Sequence, residues 1–235
     1  MSTTTIKELI DAGFHFGHRS SRWNPKMKKY IYGKRKLIHI IDLKETARGI
    51  LTASKFLAKL AGSGGKVLFV GTKWQARKLI ETEAQRCGMA YVNERWLGGT
   101  LTNFDTIRKS LKYLENFEKL EESGTTKGYS KKLLSSLNRK KRKIKKNLEG
   151  IREMHKLPDV LVVIDPKKEH IAVQEANKLG IPTVSLADTD SDPDLSDVCV
   201  PGNDDAMRSI KYFLEKIVDA ILEGKRTAEN IVKAS

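Results

Sequence analysis

Apolar residues recur along this chain in two rhythms, and the alternation between them predicts most of its elements. Val67-Leu68-Phe69-Val70 is a short, continuous apolar run that stops at Gly71; helical spacing then takes over through Ala76, Leu79, Ile80 and Ala84. Strand, turn and helix follow from that switch of period. The unit repeats in Val160 to Ile164, which ends at Asp165-Pro166 and leads into a helix through Ile171, Ala172 and Ala176, closed at Gly180. A third strand over Pro182 to Ala187 and a helix from Asp204 to about Leu222 complete the series. Runs apolar on both faces belong to parallel strands covered on both sides, so the predicted class is α/β, most economically an open, doubly wound parallel sheet.

Residues 104–154 break the alternation. Phe104, Ile107, Leu111, Leu114, Phe117 and Leu120 step by three and four, and after a polar connection at Ser123 to Ser130 come Leu133, Leu137, Ile144, Leu148 and Ile151. Each stripe is narrow, about the width of a two-helix seam, which predicts an antiparallel helical hairpin, coiled-coil in character, projecting from the α/β domain. The expected division is therefore residues 1–103 for the first part of that domain with an N-terminal extension, 104–154 for the inserted hairpin, 155–225 for the second part, and 226–235 for a tail. Within the extension a short helix through Ile6, Leu9 and Ile10 stops at Ala12-Gly13. Residues Phe14 to Met27 have no period, and short strands are expected at Tyr30 to Gly33 and Leu37 to Ile41.

Charge changes the picture more than composition does. A formal charge of +15 on 235 residues makes a field that attracts polyanions. Its distribution is uneven: residues 1–48 carry +7, 49–104 carry +5 and 105–156 carry +9, whereas 157–235 carry −6. Opposite signs in different parts suggest one surface for nucleic acid and another for a different partner. The sequence has no run of 18 apolar residues and no basic-then-apolar leader at Met1 to Asp11, so neither a membrane partner nor secretion is expected, and a cytoplasmic location is. Cys87 and Cys199 stand alone, as reduced, packed thiols do.

Enzyme readings find little support. Val70-Gly71-Thr72-Lys73 sits where α/β domains bind phosphate, but no further glycine follows before Gly88, and Gly62-Ser-Gly-Gly-Lys66 precedes its strand and lacks the P-loop hydroxyl. No nucleotide cofactor is expected. Asp188-Thr-Asp-Ser-Asp-Pro-Asp194 follows a strand and could carry Mg²⁺ for phosphoryl transfer, the alternative function; Pro193 and Cys199 stand where a calcium loop needs Gly and Glu. An Asx-rich turn capping its own backbone is the plainer reading. His15 and His18 share a spacing two metal ligands could use, but two ligands make no site, so packed imidazoles and no metal are expected.

The RNA reading has more to draw on. Arg19, Arg22, Trp23, Asn24, Lys26, Lys28 and Lys29 combine cations for phosphates with an aromatic for stacking and an amide for base edges. Arg95-Trp96-Leu-Gly98-Gly99-Thr100-Leu-Thr102-Asn103 offers a cation, an aromatic, close backbone approach and hydroxyls. The plainer reading is that both tryptophans are core and the glycines merely turn the chain, and it weighs about evenly at Trp96 and less at the cation cluster. In Arg139-Lys140-Lys141-Arg142-Lys143-Ile-Lys145-Lys146 like charges crowd one helix, a cost that an anionic partner would offset. Lys73 in the strand-to-helix turn joins this set of candidate contacts.

Four stretches together resemble the bacterial small-subunit ribosomal protein two, the S-two family: Asp11-Ala-Gly-Phe-His-Phe-Gly-His18 with Arg22-Trp-Asn-Pro-Lys-Met27, Arg95 to Phe104, Asp165-Pro-Lys-Lys-Glu-His-Ile-Ala172, and Pro201-Gly-Asn-Asp-Asp-Ala206. The resemblance spans essentially the whole chain. One departure is Ala187-Asp-Thr-Asp-Ser-Asp192, where the family usually has Val before the first Asp and Asn at position 190. The resemblance implies a flavodoxin-like domain with a coiled-coil hairpin. It further implies docking without turnover on small-subunit rRNA between head and body on the solvent side, and help in recruiting the mRNA-capturing ribosomal protein one.

Overall fold

The computed structural model describes residues 5–123 and 130–234. Five parallel strands form the central sheet: β4 (Val67–Val70), β5 (Ala90–Val92), β6 (Val160–Ile164), β7 (Thr183–Ala187) and β8 (Val198–Pro201), in spatial order β5-β4-β6-β7-β8. Numbered within the sheet this is 2-1-3-4-5, the doubly wound order of flavodoxin-like domains. Three of these strands are the ones the apolar runs predict. The two edge strands, three and four residues long, are additions.

The period of two along each strand sorts its side chains between two cores. Val67, Phe69, Val160, Val162 and Ile164 face α2 (Leu43–Gly62), α3 (Trp74–Cys87) and α7 (Met207–Ala234), which contribute Ile50, Leu57, Ile80, Phe213 and Ile217. Leu68, Val70, Leu161 and Val163 face the other way, onto α6 (His170–Leu179) and the base of the inserted helices α4 (Phe104–Glu122) and α5 (Lys131–Leu148), which supply Ile107, Leu111 and Leu148. Each fully buried side chain of this kind contributes about 1.5–3 kcal/mol.

Both inserted helices form where the apolar steps place them, and the Ser130 hydroxyl caps α5 by accepting from Leu133 N. Near the sheet they are well covered; further out Leu120 and Leu133 are 38% and 46% exposed. The predicted connection at 123–130 lies mostly outside the described residues. The last helix is longer than expected: α7 runs through to Ala234 rather than ending near Leu222, because nothing in residues 223–234 breaks it and Gly224 lets it press onto α2.

The N-terminal extension is a small unit of its own. Helix α1 (Ile6–Ala12) is capped by a reciprocal Thr5–Glu8 pair and ends at left-handed Gly13. It leads into a three-stranded antiparallel sheet, β1 (Phe16–Arg19), β2 (Ile31–Arg35) and β3 (Ile38–Ile41), ordered β1-β3-β2. Strand β1 falls in the stretch that sequence periodicity left aperiodic. The β2–β3 turn holds Lys36 and Leu37 at φ +48° and +64°, a left-handed conformation that disfavours side chains by roughly 1–2 kcal/mol per residue.

Candidate nucleic-acid interface

In a sheet of this order the usual ligand crevice opens beyond the carboxyl ends of β4 and β6. Here the chain's own side chains fill it. The Lys73 ammonium, in the turn after β4, lies 2.9 Å from Asp165, 2.6 Å from Asp204 and 2.8 Å from Asp205. Burial works to lower its pKa, and those carboxylates overcome it, so the ammonium is held charged. Beside it the Glu169 carboxylate accepts from Thr72 N at 2.8 Å and Thr72 Oγ1 at 2.6 Å, taking the place an anionic ligand would occupy; burial raises its pKa.

The acidic turn after β7 has a comparable structural task. Asp188 accepts from Thr189 N and Asp192 from Asp194 N, as an Asx-rich turn would. Thr189 also ties down the extension: its hydroxyl accepts from His18 N at 2.9 Å and its carbonyl from Asn24 N at 2.8 Å. Gly17 is required here, since a Cβ would stand 2.7 Å from the Thr189 side chain. His18 places Nδ1 2.9 Å from Asp188 and Nε2 3.4 Å from Asp205. Contact with the Asp188 carboxylate, outweighing burial, pushes its pKa up to about 9. His18, Asp188 and Asp205 bring their ligand atoms within 4.8 Å of one another and are the group among the described residues that could hold a metal ion; His15 is not part of it. Asp190 pairs with Lys167 at 2.8 Å. The carboxylates proposed for Mg²⁺ chemistry are thus engaged with the chain's own donors.

Several candidate RNA contacts turn inward. Lys73 has no ammonium to spare, for the reason just given. In the Arg95 to Asn103 loop, Trp96 and Thr100 are buried, and the loop wraps around one carboxylate. Glu175 of α6 accepts from Trp96 Nε1 at 3.1 Å, Gly99 N at 2.8 Å, Leu101 N at 2.9 Å, Thr102 N at 3.1 Å and Thr102 Oγ1 at 3.2 Å. These donors outweigh burial and hold its pKa below the usual value. Gly99, at φ +87°, makes the turn; Arg95, Gly98 and Asn103 remain on the surface. Glu175 escaped the sequence reading, although a carboxylate set among Ala172, Val173 and Ala176 on a buried helix face demands a set of donors.

Other candidates are partly engaged. Lys26 pairs with Asp192 at 2.8 Å and Asp194 at 3.0 Å, and Asn24 uses its side-chain oxygen to cap the turn Pro25–Tyr30. Trp23 is half-buried against His39, ring centroids 5.1 Å apart. Lys141 pairs with Glu121, Lys146 lies 3.4 Å from Glu94, and Lys140 sits 4.1 Å above the Tyr113 ring. Exposed, and with no ion pair among the described residues, are Arg19, Arg22, Lys28, Lys29 and Arg95 on the domain and Arg139, Arg142, Lys143 and Lys145 on α5. Of the candidate contacts, those without an ion pair thus stand mainly on the N-terminal extension and along α5, Arg95 apart, and Lys29 also sits 5.0 Å over the Tyr30 ring.

Fold and charge together define a parallel α/β domain whose customary ligand crevice is closed by internal ion pairs, with exposed cations on its N-terminal extension and on α5 among others. The model of the family described as Ribosomal protein S2 matches residues 9–224. The small ribosomal subunit protein uS2 of Rhodopirellula baltica is 53% identical over 225 residues, covering 96% of this chain and 86% of that protein. This chain belongs to the ribosomal protein S2 family.

Proposed function

We propose that the protein is a structural constituent of the small ribosomal subunit, docked on its rRNA through exposed cations and acting in translation without turnover. The observation that carries this reading is the pairing of family membership with the exposed cations that lack an ion pair among the described residues, most densely Arg139, Arg142, Lys143 and Lys145 on α5, since uncompensated charge crowded on one helix is costly unless an anion meets it. The position between head and body on the solvent side, and help in recruiting ribosomal protein one, are what the S-two resemblance adds. The acidic segment 157–235 is the part suited to neighbouring proteins. In this reading α4 and α5 form a coiled-coil arm that carries cations outward to the RNA.

Replacing Arg139, Arg142, Lys143 and Lys145 together with Gln tests it. Each phosphate contact contributes about 0.7–0.9 to the log–log dependence of affinity on salt, so four contacts predict a slope shallower by about 3 on a small-subunit rRNA transcript. A wild-type slope in that variant would remove α5 from the interface.

A further inference from the structure

We propose that the tip of the β2–β3 hairpin, Lys34-Arg35-Lys36-Leu37, is an additional RNA-phosphate contact, working with Arg19 across the small sheet. Two independent observations point there. The first is backbone geometry: a two-residue hairpin turn with both residues left-handed favours Asn-Gly, yet Lys36 and Leu37 stand in it at φ +48° and +64°. Leu37 is 66% exposed. Its carbonyl accepts from Ser20 N at 2.8 Å, and with the side chain largely open to solvent its packing compensates the turn little. Strain kept at an exposed tip, with side chains where the turn prefers none, marks a contact element.

The second observation is charge. Lys34, Arg35 and Lys36 are consecutive, exposed and without an ion pair among the described residues. The register adds to them: Arg35 of β2 and Arg19 of β1 both stand opposite Ile38 of β3. Directly opposed residues share a face, which sets two guanidinium side chains about 10 Å apart at their Cα atoms, straddling one isoleucine. The Ser20–Leu37 bond ties the segment after β1 to the same tip, and Arg22 lines one cavity with Arg19 and Ile38. Tyr32, 81% exposed on the same strand, borders an apolar hollow with Ile6, Ile10 and Ile40. Cations in such density, without an ion pair among the described residues, fit a polyanion strand better than a protein face, which would need acids to match.

The inference rests on the rRNA-docking reading, and two variants with a common readout separate them. Lys34, Arg35 and Lys36 replaced together with Gln should melt at the wild-type temperature and bind a full-length small-subunit rRNA transcript with a log–log salt slope shallower by about 2, three contacts at about 0.7 each. Lys36→Asn with Leu37→Gly, which supplies the residues the turn favours, should melt higher than wild type and bind more weakly. A wild-type slope in the triple variant overturns the proposal. So does full rRNA binding combined with poor incorporation into reconstituted subunits, which would assign the tip to a protein neighbour. Should the wild-type chain itself bind rRNA without salt dependence, the docking reading fails and takes the tip with it; a loss confined to the tip variants would uphold the tip and exclude α5.

Discussion

Glu175 is the most informative single residue to perturb, because one carboxylate organises the whole Arg95 to Asn103 loop. Oε1 accepts from Trp96 Nε1 and Gly99 N, and Oε2 from Leu101 N, Thr102 N and Thr102 Oγ1. In Glu175→Gln the best amide orientation keeps the oxygen at the Oε2 position and turns NH₂ toward Trp96 Nε1 and Gly99 N. One buried donor and one part-buried donor then lose their acceptor and face another donor. At about 1–3 kcal/mol for each orphaned buried group, the predicted loss of unfolding free energy is about 4 kcal/mol. Urea denaturation followed by circular dichroism measures it, and a red shift of tryptophan emission in the folded state would report the freed indole. The carboxylate's folded pKa is depressed, so its contribution is present above its unfolded pKa and is lost as pH falls through the folded value. Glu175→Gln should therefore flatten the acid limb of the stability curve. A loss below about 1 kcal/mol with an unchanged acid limb would refute the view that this carboxylate holds the loop.

Other substitutions separate internal charge from docking charge. Lys73→Ala leaves Asp165, Asp204 and Asp205 without their shared cation and should cost about 3–5 kcal/mol by chemical denaturation; at temperatures where it stays folded, its rRNA salt slope should match wild type. His18, whose pKa is raised to about 9, contributes stability that is complete below its unfolded value near 6.5 and fades as pH rises through about 9. Thermal melting across that window should fall for wild type and stay flatter for His18→Gln. Gly224→Ala puts a methyl 2.1 Å from the Ala58 carbonyl oxygen, so α2 and α7 must separate; a loss of about 1–3 kcal/mol in urea unfolding is expected, and none would mean the helix pair adapts freely.

Legibility from sequence follows burial. Strands β4 and β6 are apolar on both faces, so a continuous run announces them; β7 alternates, with Thr183 and Ser185 on one face and Val184 and Leu186 on the other, and α4 and α5 announce themselves by a seam of threes and fours. The edge strands β5 and β8 are too short to show a period, and β1 is recognisable through its pairing with β3, a contact across about twenty residues that no local pattern encodes. Helix α2 drew no reading although its apolar positions Ile50, Ala53, Leu57 and Ala61 are regular. The site was legible by composition and not by pairing. Which cations are free depends on carboxylates brought from afar: Asp192 reaches Lys26 across 166 positions, and Asp204 reaches Lys73 across 131. Lys34 to Lys36 were passed over because a cationic turn between strands looks like ordinary solvated surface until its backbone angles are known.

The closed crevice and the exposed cations are linked by the same electrostatic logic. A doubly wound sheet gathers loop ends, helix N-termini and polar side chains at one rim, which in a nucleotide-binding domain is where charge meets ligand. Here that rim holds Asp165, Asp188, Asp190, Asp204 and Asp205, answered by Lys73, His18 and Lys167. These ion pairs occupy the polar groups at the place where the fold would ordinarily bind phosphate. An acidic rim also anchors the extension through Thr189, and Arg19 and Arg22 of that extension line the cavity beside His18, Asp188 and Asp205. The exposed cations without an ion pair on the extension and on α5 stand away from the turn after β4, which suits contact with a large polyanion surface better than enclosure of a small ligand.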